Sequence, residues 1–533
     1  MASHFKWYPT TEETVIPWNA QYEFPSQANK AVKVTPRIPP KNNNTFTPGS
    51  TIRLEFPAQG YINTNNTTIE FDVIMQGYIP SANTFWETRF QNNIFSVFDR
   101  LRILYGSTPL EDIIHPNFLV RQLTEFTTSN GTAIDQTSIA EGIGGYYMDY
   151  SGTVWAPYST RQYKIQGLKA AGAALQFGVP NSQPIGGAGS IAGLVGPTCV
   201  RRYQVQLPAG LFQQGKYLPV KFMASQFAIE LTLAQPATCM IAISNALTNP
   251  SPTLPAGTPS YVITNVNLIP EVLEFDSSYD QNFLQGLQTG GVPIQFASWH
   301  NFQFNVTGSS GQYIIQERSR SVKSIFAFMK LASDSLLQDS HATFSDLATT
   351  DNSAILRSYQ FRIGARYLPA SPVICYDQVS GTSKNGTCEP FIELQKALNT
   401  IGDYRLSTNL SADNWARPPV EVSPLTPGAP VFAQNSDYFF QPSAAVTATG
   451  RTGAGPVSVG NASIGSTVFC FATSLETTNG KEISGLNAEE QSDISLMINW
   501  AGPSPAYPML LEVYTYYDAM MILRENNVVE LIL

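Results

Sequence analysis

The chain has 533 residues and a formal net charge of −9, and 13% of its residues are charged, against about 25% in an ordinary globular domain. An acidic chain this poor in charge does not coat nucleic acid, which needs a basic face, and no apolar run reaches the roughly 18 residues of a membrane-spanning helix. Ser, Thr, Asn and Gln carry the polar surface, 38 Gly and 37 Pro suit many short strands joined by turns, and weak like-charge repulsion permits copies to pack closely.

Residues 1–50 read as an arm. Trp7, Tyr8, Trp18, Tyr22 and Phe24 are interspersed with prolines, and Pro36, Pro39, Pro40 and Asn42 to Asn44 follow. The stretch is too irregular for a helix. It is either a disordered terminus or an extended arm that docks its aromatics on a neighbour, and the aromatic content favours the second. It is locally basic: Lys6, Lys30, Lys33, Arg37 and Lys41 face only Glu12, Glu13 and Glu23.

Ile52, Leu54 and Phe56 alternate as the first strand, and Ile69, Phe71 and Val73 mark a second within 68–77. A third covers 95–105, bounded by Gly106 and Pro109. Residues 117–126 suit a short helix with Phe118, Leu119 and Leu123 on one side. Short strands between turns suggest a sandwich or barrel.

Residues 127–199 break that rhythm. They are rich in Gly, Ser, Ala and Tyr and too long for a loop inside a compact domain, so they read as an insertion exposed on one face. Gly186 to Gly193 mimics a phosphate cradle but lacks the Gly-Lys-Ser/Thr ending.

Residues 200–233 carry the clearest pattern. Tyr203, Val205 and Leu207 alternate, Pro208 and Gly210 interrupt, and Gly215-Lys216 turns the chain. Phe227, Ile229, Leu231 and Leu233 then share one strand face and are the expected core, with Ala228, Glu230 and Thr232 opposite. The stretch reads as the spine of an antiparallel sheet. Further strands cover 261–275 and 292–306, with a helical turn at 282–287 between them. Val292 to Val306 is taken to close the first series.

A second series follows. ILRSYQFRIGARYL (355–368) and LRILYGSTPL (101–110) each set a strand with an internal Arg ahead of a glycine and then a proline, which fits two copies of one plan. A helix at 390–399 matches the one at 117–126. Strands at 324–331, 468–471, 495–500 and 510–523 complete the set, the last tying the C-terminal region into a sheet. The expected fold is all-β, with an arm at 1–50, a first sandwich at 51–305 and a second at 306–533.

No catalytic, cofactor or metal site is expected. His4, His115, His300 and His341 have no partner at metal-ligand spacing. Glu489, Glu490 and Asp493 read as a solvated loop face rather than a glycosidase pair, and Ser225 and Ser298 lack a nucleophile elbow. Arg201-Arg202 and the run Arg318 to Lys323 read as surface or subunit ion pairs rather than nucleic-acid contacts. Five Cys at irregular spacing fit neither zinc nor a disulfide framework and suggest a reducing compartment. Without a signal peptide ahead of them, the acceptor sequences at Asn66 and Asn305 carry little weight.

Three stretches carry a family resemblance. GLFQQGKYLPVKFMASQFAIELTL (210–233), YQFRIGARYLPASPV (359–373) followed by FIELQKAL (391–398), and LEVYTYYDAMMIL (511–523) with its Tyr517-Asp518 pair resemble double jelly-roll major capsid proteins of polinton-like viruses and virophages. The resemblance implies two consecutive eight-stranded jelly rolls and a homotrimer of pseudo-six-fold outline. It implies an icosahedral shell around double-stranded DNA, often with an inner membrane, and a place in the virion, assembled inside the host cell. Partners would be neighbouring trimers and minor capsid or penton proteins, with long loops forming outward towers and no sequence-specific nucleic-acid binding. The arm, through Trp7, Tyr8, Trp18, Tyr22 and Phe24, is suited to grip such a neighbour or an acidic inner membrane. The rival is a secreted carbohydrate-binding or glycan-hydrolysing β-sandwich protein, because Tyr, Trp, Asn and Gln surfaces suit sugars.

Overall fold

The computed structural model describes residues 31–76, 85–90, 94–127, 140, 148–151, 154–157, 182–185, 199–245, 260–308, 310–331, 356–379, 382–385, 388–400, 430–432, 440–442, 470–476, 485–489, 493–500, 509–524 and 529–533. Alternating burial builds the strands: Ile52 and Leu54 point inward in one, and Ile69, Phe71 and Val73 in the next. The first eight principal strands are β1 (Ala31–Val34), β2 (Thr51–Glu55), β3 (Tyr61–Gln76), β4 (Phe98–Tyr105), β5 (Thr108–Ile114), β6 (Cys199–Gln206), β7 (Phe227–Leu233) and β8 (Ser260–Phe275). They form two antiparallel sheets, in the orders β1-β8-β3-β6 and β2-β7-β4-β5.

That order has a simple origin. β1 pairs with β8, β2 with β7, β3 with β6 and β4 with β5, so the chain is one long hairpin rolled up on itself. Its tip is the β4–β5 turn at Gly106, whose φ of 61° is a conformation that favours glycine.

The plan then repeats with every number raised by eight. The strands β9 (Val292–Val306), β10 (Ser310–Ile315), β11 (Val322–Leu331), β12 (Leu356–Ile363), β13 (Arg366–Ile374), β14 (Phe471–Ser474), β15 (Ile494–Trp500) and β16 (Met509–Leu523) make sheets β9-β16-β11-β14 and β10-β15-β12-β13. The tip is Gly364, with φ 56°. Helix α1 (Pro116–Thr127) follows the first tip hairpin, α2 (Ser277–Thr289) links the halves, and α3 (Cys388–Ala397) follows the second tip hairpin. Asp276 caps α2, its carboxylate accepting from Tyr279 N at 3.1 Å. In each half an aromatic pair closes the gap between sheets: Phe71 with Phe98 at 5.9 Å, and Tyr359 with Phe471 at 5.1 Å.

Phe227, Ile229, Leu231 and Leu233 are buried, and Ile229 sits between Leu54 of β2 and Ile103 of β4. Several expectations need correction. The stretch 200–233 is not the spine of one sheet, because β6 and β7 lie in opposite sheets of the roll. The first roll already includes Ala31–Val34, ahead of the expected start at residue 51. β1 pairs with residues 272–275 of β8, Ile38 bridges to Leu268, and Thr45–Phe46 pairs with 263–264, burying Phe46. Backbone pairing makes this strand, so its exposed, Lys-containing sequence gives no alternation to read. The boundary at 305/306 also moves. β9 pairs residue by residue with β16 from Val292↔Leu523 to Val306↔Met509, so it opens the second roll and the link is α2. Within 127–199, Met148–Ser151 pairs with Val154–Pro157, and Ser182–Ile185 joins a sheet with 85–90 and 240–245. Gly186 to Gly193 lies outside the described residues.

Candidate assembly site: the seam between the two rolls

Helix α1 crosses from the first roll to the second. Its Phe118 ring lies 5.6 Å from Phe328 of β11 and 6.4 Å from Tyr514 of β16, and Phe126 stacks on Phe328 at 5.9 Å. These four rings are buried, so the seam has the character of a domain core. The turn into α1 is His115, at φ 51°. Its carbonyl accepts from Phe118 N and Leu119 N at 3.2 and 3.3 Å, and from the Tyr514 hydroxyl at 3.1 Å. Its Nδ1 lies 3.3 Å from Glu512 of β16, a fully buried carboxylate. Asn301 Nδ2 and Gln303 Nε2 donate to Glu512 at 2.9 and 2.7 Å.

A second buried carboxylate lies where the edge strand β5 runs along β9. Glu111 accepts from Gly210 N (3.0 Å), Leu211 N (2.6 Å) and the Ser298 hydroxyl (2.8 Å). Burial pushes its carboxyl up to about 7, against the opposing pull of those three donors. Gly210 is there because nothing larger fits: a Cβ would lie 1.6 Å from the carbonyl oxygen of Ala297. Lys216 Nζ adds a bond to Pro293 O at 3.0 Å.

Next to this seam, His300 stacks on Tyr517 at 4.1 Å and sets Nδ1 3.1 Å from Glu317. Burial alone would raise the Glu317 carboxyl. Bonds from His300, Ser319 and Thr515 outweigh it and hold the group down at about 2. A cavity of about 440 Å³ opens beside Glu317, lined also by Ile314, Arg318 and Asp493.

The other sequence candidates serve structure. Arg202 makes a bidentate pair with Asp72 at 2.7 and 3.0 Å. In the run 318–323, Arg320 pairs with Glu489 at 2.7 Å and Lys323 lies 3.1 Å from Asp518 and 3.4 Å from Glu476. Asp493 gives its backbone carbonyl to Gly364 N. The Ser225 backbone N–H donates to the Tyr105 hydroxyl. Trp7, Tyr8, Trp18, Tyr22, Phe24, His4, His341 and Glu490 lie outside the described residues. Cys239, Cys375 and Cys470 are buried thiols and Cys388 is an exposed one. Among the described residues no group of three His, Cys, Asp or Glu side chains is placed to hold a metal. Sequence reading missed Glu111 and Glu512 as seam residues, and no local pattern marks them.

No family model and no curated protein matches the sequence. Solved structures do match. The Faustovirus major capsid protein aligns with a TM-score of 0.50 at 9% identity, over 96% of this chain and 93% of that one. The cryo-EM structure of the Sputnik virophage aligns at 0.49 and 11% identity, over 97% and 91%. The mavirus major capsid protein aligns at 0.47 and 10%, over 98% and 96%. At 9% identity the likeness to the Faustovirus protein shows a shared fold. With the strand order described above, that fold is the double jelly roll, all-β, two eight-stranded rolls in one chain.

Proposed function

We propose that the chain is a major capsid protein, a structural subunit of an icosahedral virus shell. The observation that carries this reading is the pair of complete jelly rolls of identical strand order, fixed to each other by a buried aromatic and carboxylate seam. Such a body is a rigid tile with two similar lobes. The fold shared with the Faustovirus major capsid protein over nearly the whole chain supports the same reading. In it, three copies form a pseudo-six-fold homotrimer, trimers tile the shell around a double-stranded DNA genome, and minor capsid or penton proteins fill the remaining positions. The arm aromatics Trp7, Tyr8, Trp18, Tyr22 and Phe24 grip a neighbouring trimer or minor protein in preference to an inner membrane, because the arm's positive charges are spread out. The insertion at 127–199 faces outward. No observation favours the carbohydrate-binding alternative. The test is sizing of purified protein followed by electron microscopy. Three copies of the 58.3 kDa chain give a particle of about 175 kDa with a hexagonal outline. A chain that stays monomeric and forms no shells at high concentration sinks the proposal.

A further inference from the structure

The second roll encloses a lysine between two carboxylates. Lys323 stands near the start of β11, Asp518 lies in β16 and Glu476 follows the end of β14, so neighbouring segments of one sheet supply all three. Backbone bonds fix their spacing: Asp518 N donates to Ser321 O at 2.9 Å, and Leu475 N to Lys323 O at 2.7 Å. Lys323 Nζ lies 3.1 Å from Asp518 Oδ1 and 3.4 Å from Glu476 Oε1. The site is nearly dry, with side-chain exposures of 9% for Lys323, 4% for Asp518 and 12% for Glu476. The Tyr516 ring covers the ammonium, its centroid 5.7 Å from Nζ.

An ion pair needs one carboxylate, and Asp518 already supplies it. Glu476 is surplus. Its Oε1 is shut away from water and accepts no hydrogen bond among the described residues, a costly arrangement for a carboxylate without a further task. Asp518 is held in another way. Its Oδ2 accepts from the Ser321 hydroxyl at 2.9 Å, and Gly485 N donates to Ser321 Oγ at 3.1 Å, which leaves the hydroxyl proton for Asp518. One Asp518 oxygen therefore faces the lysine nitrogen while the other is clamped by a donor.

We propose that Lys323 and Asp518 condense into an amide that ties β11 to β16 inside the folded subunit, with Glu476 as the proton carrier. This goes beyond the capsid reading and stands without it. Burial works against the Lys323 charge, but Asp518 outweighs it and keeps the ammonium protonated. The first step is therefore a proton transfer from Nζ to Oδ1, which turns the pair into an amine and a carboxylic acid, neutral forms that a dry site tolerates better than water does.

The Nζ lone pair then attacks Asp518 Cγ, and the carbonyl electrons move onto Oδ2, where the Ser321 hydroxyl meets the charge. Glu476 takes the surplus proton from Nζ and passes it to Oδ1, which leaves as water while the carbonyl re-forms. One N–C bond is made, one C–O bond is broken and one water departs, with no change of oxidation state. Contact within the fold replaces the chance encounter that a free amine and acid would need. β16 pairs with both β9 and β11, so the amide locks the strand on which the second roll closes.

The experiment weighs the purified full chain by mass spectrometry after denaturation and then maps its peptides. The expected chain is lighter than its sequence by one water and yields a branched peptide joining Lys323 to Asp518. Lys323→Arg should restore the full sequence mass, since a guanidinium keeps its proton. In freshly translated, pulse-labelled chain, Glu476→Gln should slow formation of the bond by about 100-fold or more. A wild-type chain of full sequence mass overturns the proposal and leaves a plain buried ion pair, without bearing on the capsid reading. So does a lost water that maps to another position, as in a succinimide. Bond formation at the wild-type rate in Glu476→Gln overturns the role of Glu476. The wild-type mass decides even where a variant fails to fold.

Discussion

Ser298 of the second jelly roll donates its hydroxyl to Glu111 of the first, Oγ to Oε2 2.8 Å, and both side chains are shut away from water. The two residues are 187 positions apart in the chain. Their contact ties the seam between the rolls to the protonation state of one carboxyl group.

Stability should therefore fall as pH rises across the Glu111 titration. The folded chain holds this proton up to about pH 7, whereas an unfolded glutamate releases it near 4.5. The contribution is fully present below 4.5, declines between the two values and is gone above 7, a loss of about 3 kcal/mol. Denaturation midpoints at pH 5 and pH 8 measure it. Glu111→Gln should flatten that slope, and an equally steep slope in the variant would place the titrating group elsewhere.

Glu317 should act in the opposite direction. Its carboxyl is held at about 2, below the usual 4.5, so it contributes stability above 4.5 that is lost as pH falls towards 2. Wild type should melt progressively earlier over that acid range, and Glu317→Gln should show a smaller change. An unaltered acid limb in the variant would mean that His300 and Thr515 do not hold an ionised carboxylate.

Gly210→Ala should open the seam without touching either core. Its methyl would collide with backbone at Ala297, which cannot swing aside as a side chain can. Calorimetry should show one melt for the wild type and two for the variant, one per roll, with the first lowered by several degrees. One unchanged transition would show that the turn at 210–213 shifts freely.

Ile229→Ala should cost about 2–5 kcal/mol, because the side chain is fully enclosed between β2 and β4 and leaves a cavity behind. Native-like melting would contradict that packing.

Truncation separates the two parts of residues 1–50. Removing 1–30 spares β1 and should leave a folded, self-associating subunit with impaired shell formation, as read by sizing and microscopy. Removing 1–46 also takes β1, the Ile38 bridge and the buried Phe46, and should destabilise the first roll itself. Equal behaviour of the two truncations would show that 31–46 contributes nothing to the roll.

What could be read in the sequence was local. Phe227 to Leu233 alternates because one face is buried, and Gly106 and Gly364 mark hairpin tips because few other residues take their φ. The likeness between 101–110 and 355–368 reports two equivalent tips. The side-chain spacings that gave helices at 117–126 and 390–399 fall on α1 and on α3, which ends two residues earlier than expected, at Ala397. Partner choice was not legible. Val292 to Val306 reads equally well as the last strand of one roll or the first of the next, and only its register with 509–523 decides. β1 failed for a related reason: four exposed residues carry no alternation. The seam carboxylates Glu111 and Glu512 look like ordinary strand glutamates until residues 99 to 397 positions away are laid against them.

The nested pairing also sets a timetable for synthesis. The first roll is complete once residue 275 emerges from the ribosome. β9 is made soon afterwards, yet its partner β16 lies about 200 residues downstream, a wait of about 10–40 s at about 5–20 residues per second. Until then the second roll lacks the central strand of one of its sheets, and Glu512 and Tyr514 are not there to receive α1. A message cut short in this interval yields a closed first roll with no seam and no finished second lobe. In such a product α1 is made without the Tyr514 ring and the Glu512 carboxylate that receive it, so the lock between the two lobes closes only once residues 509–523 have been added.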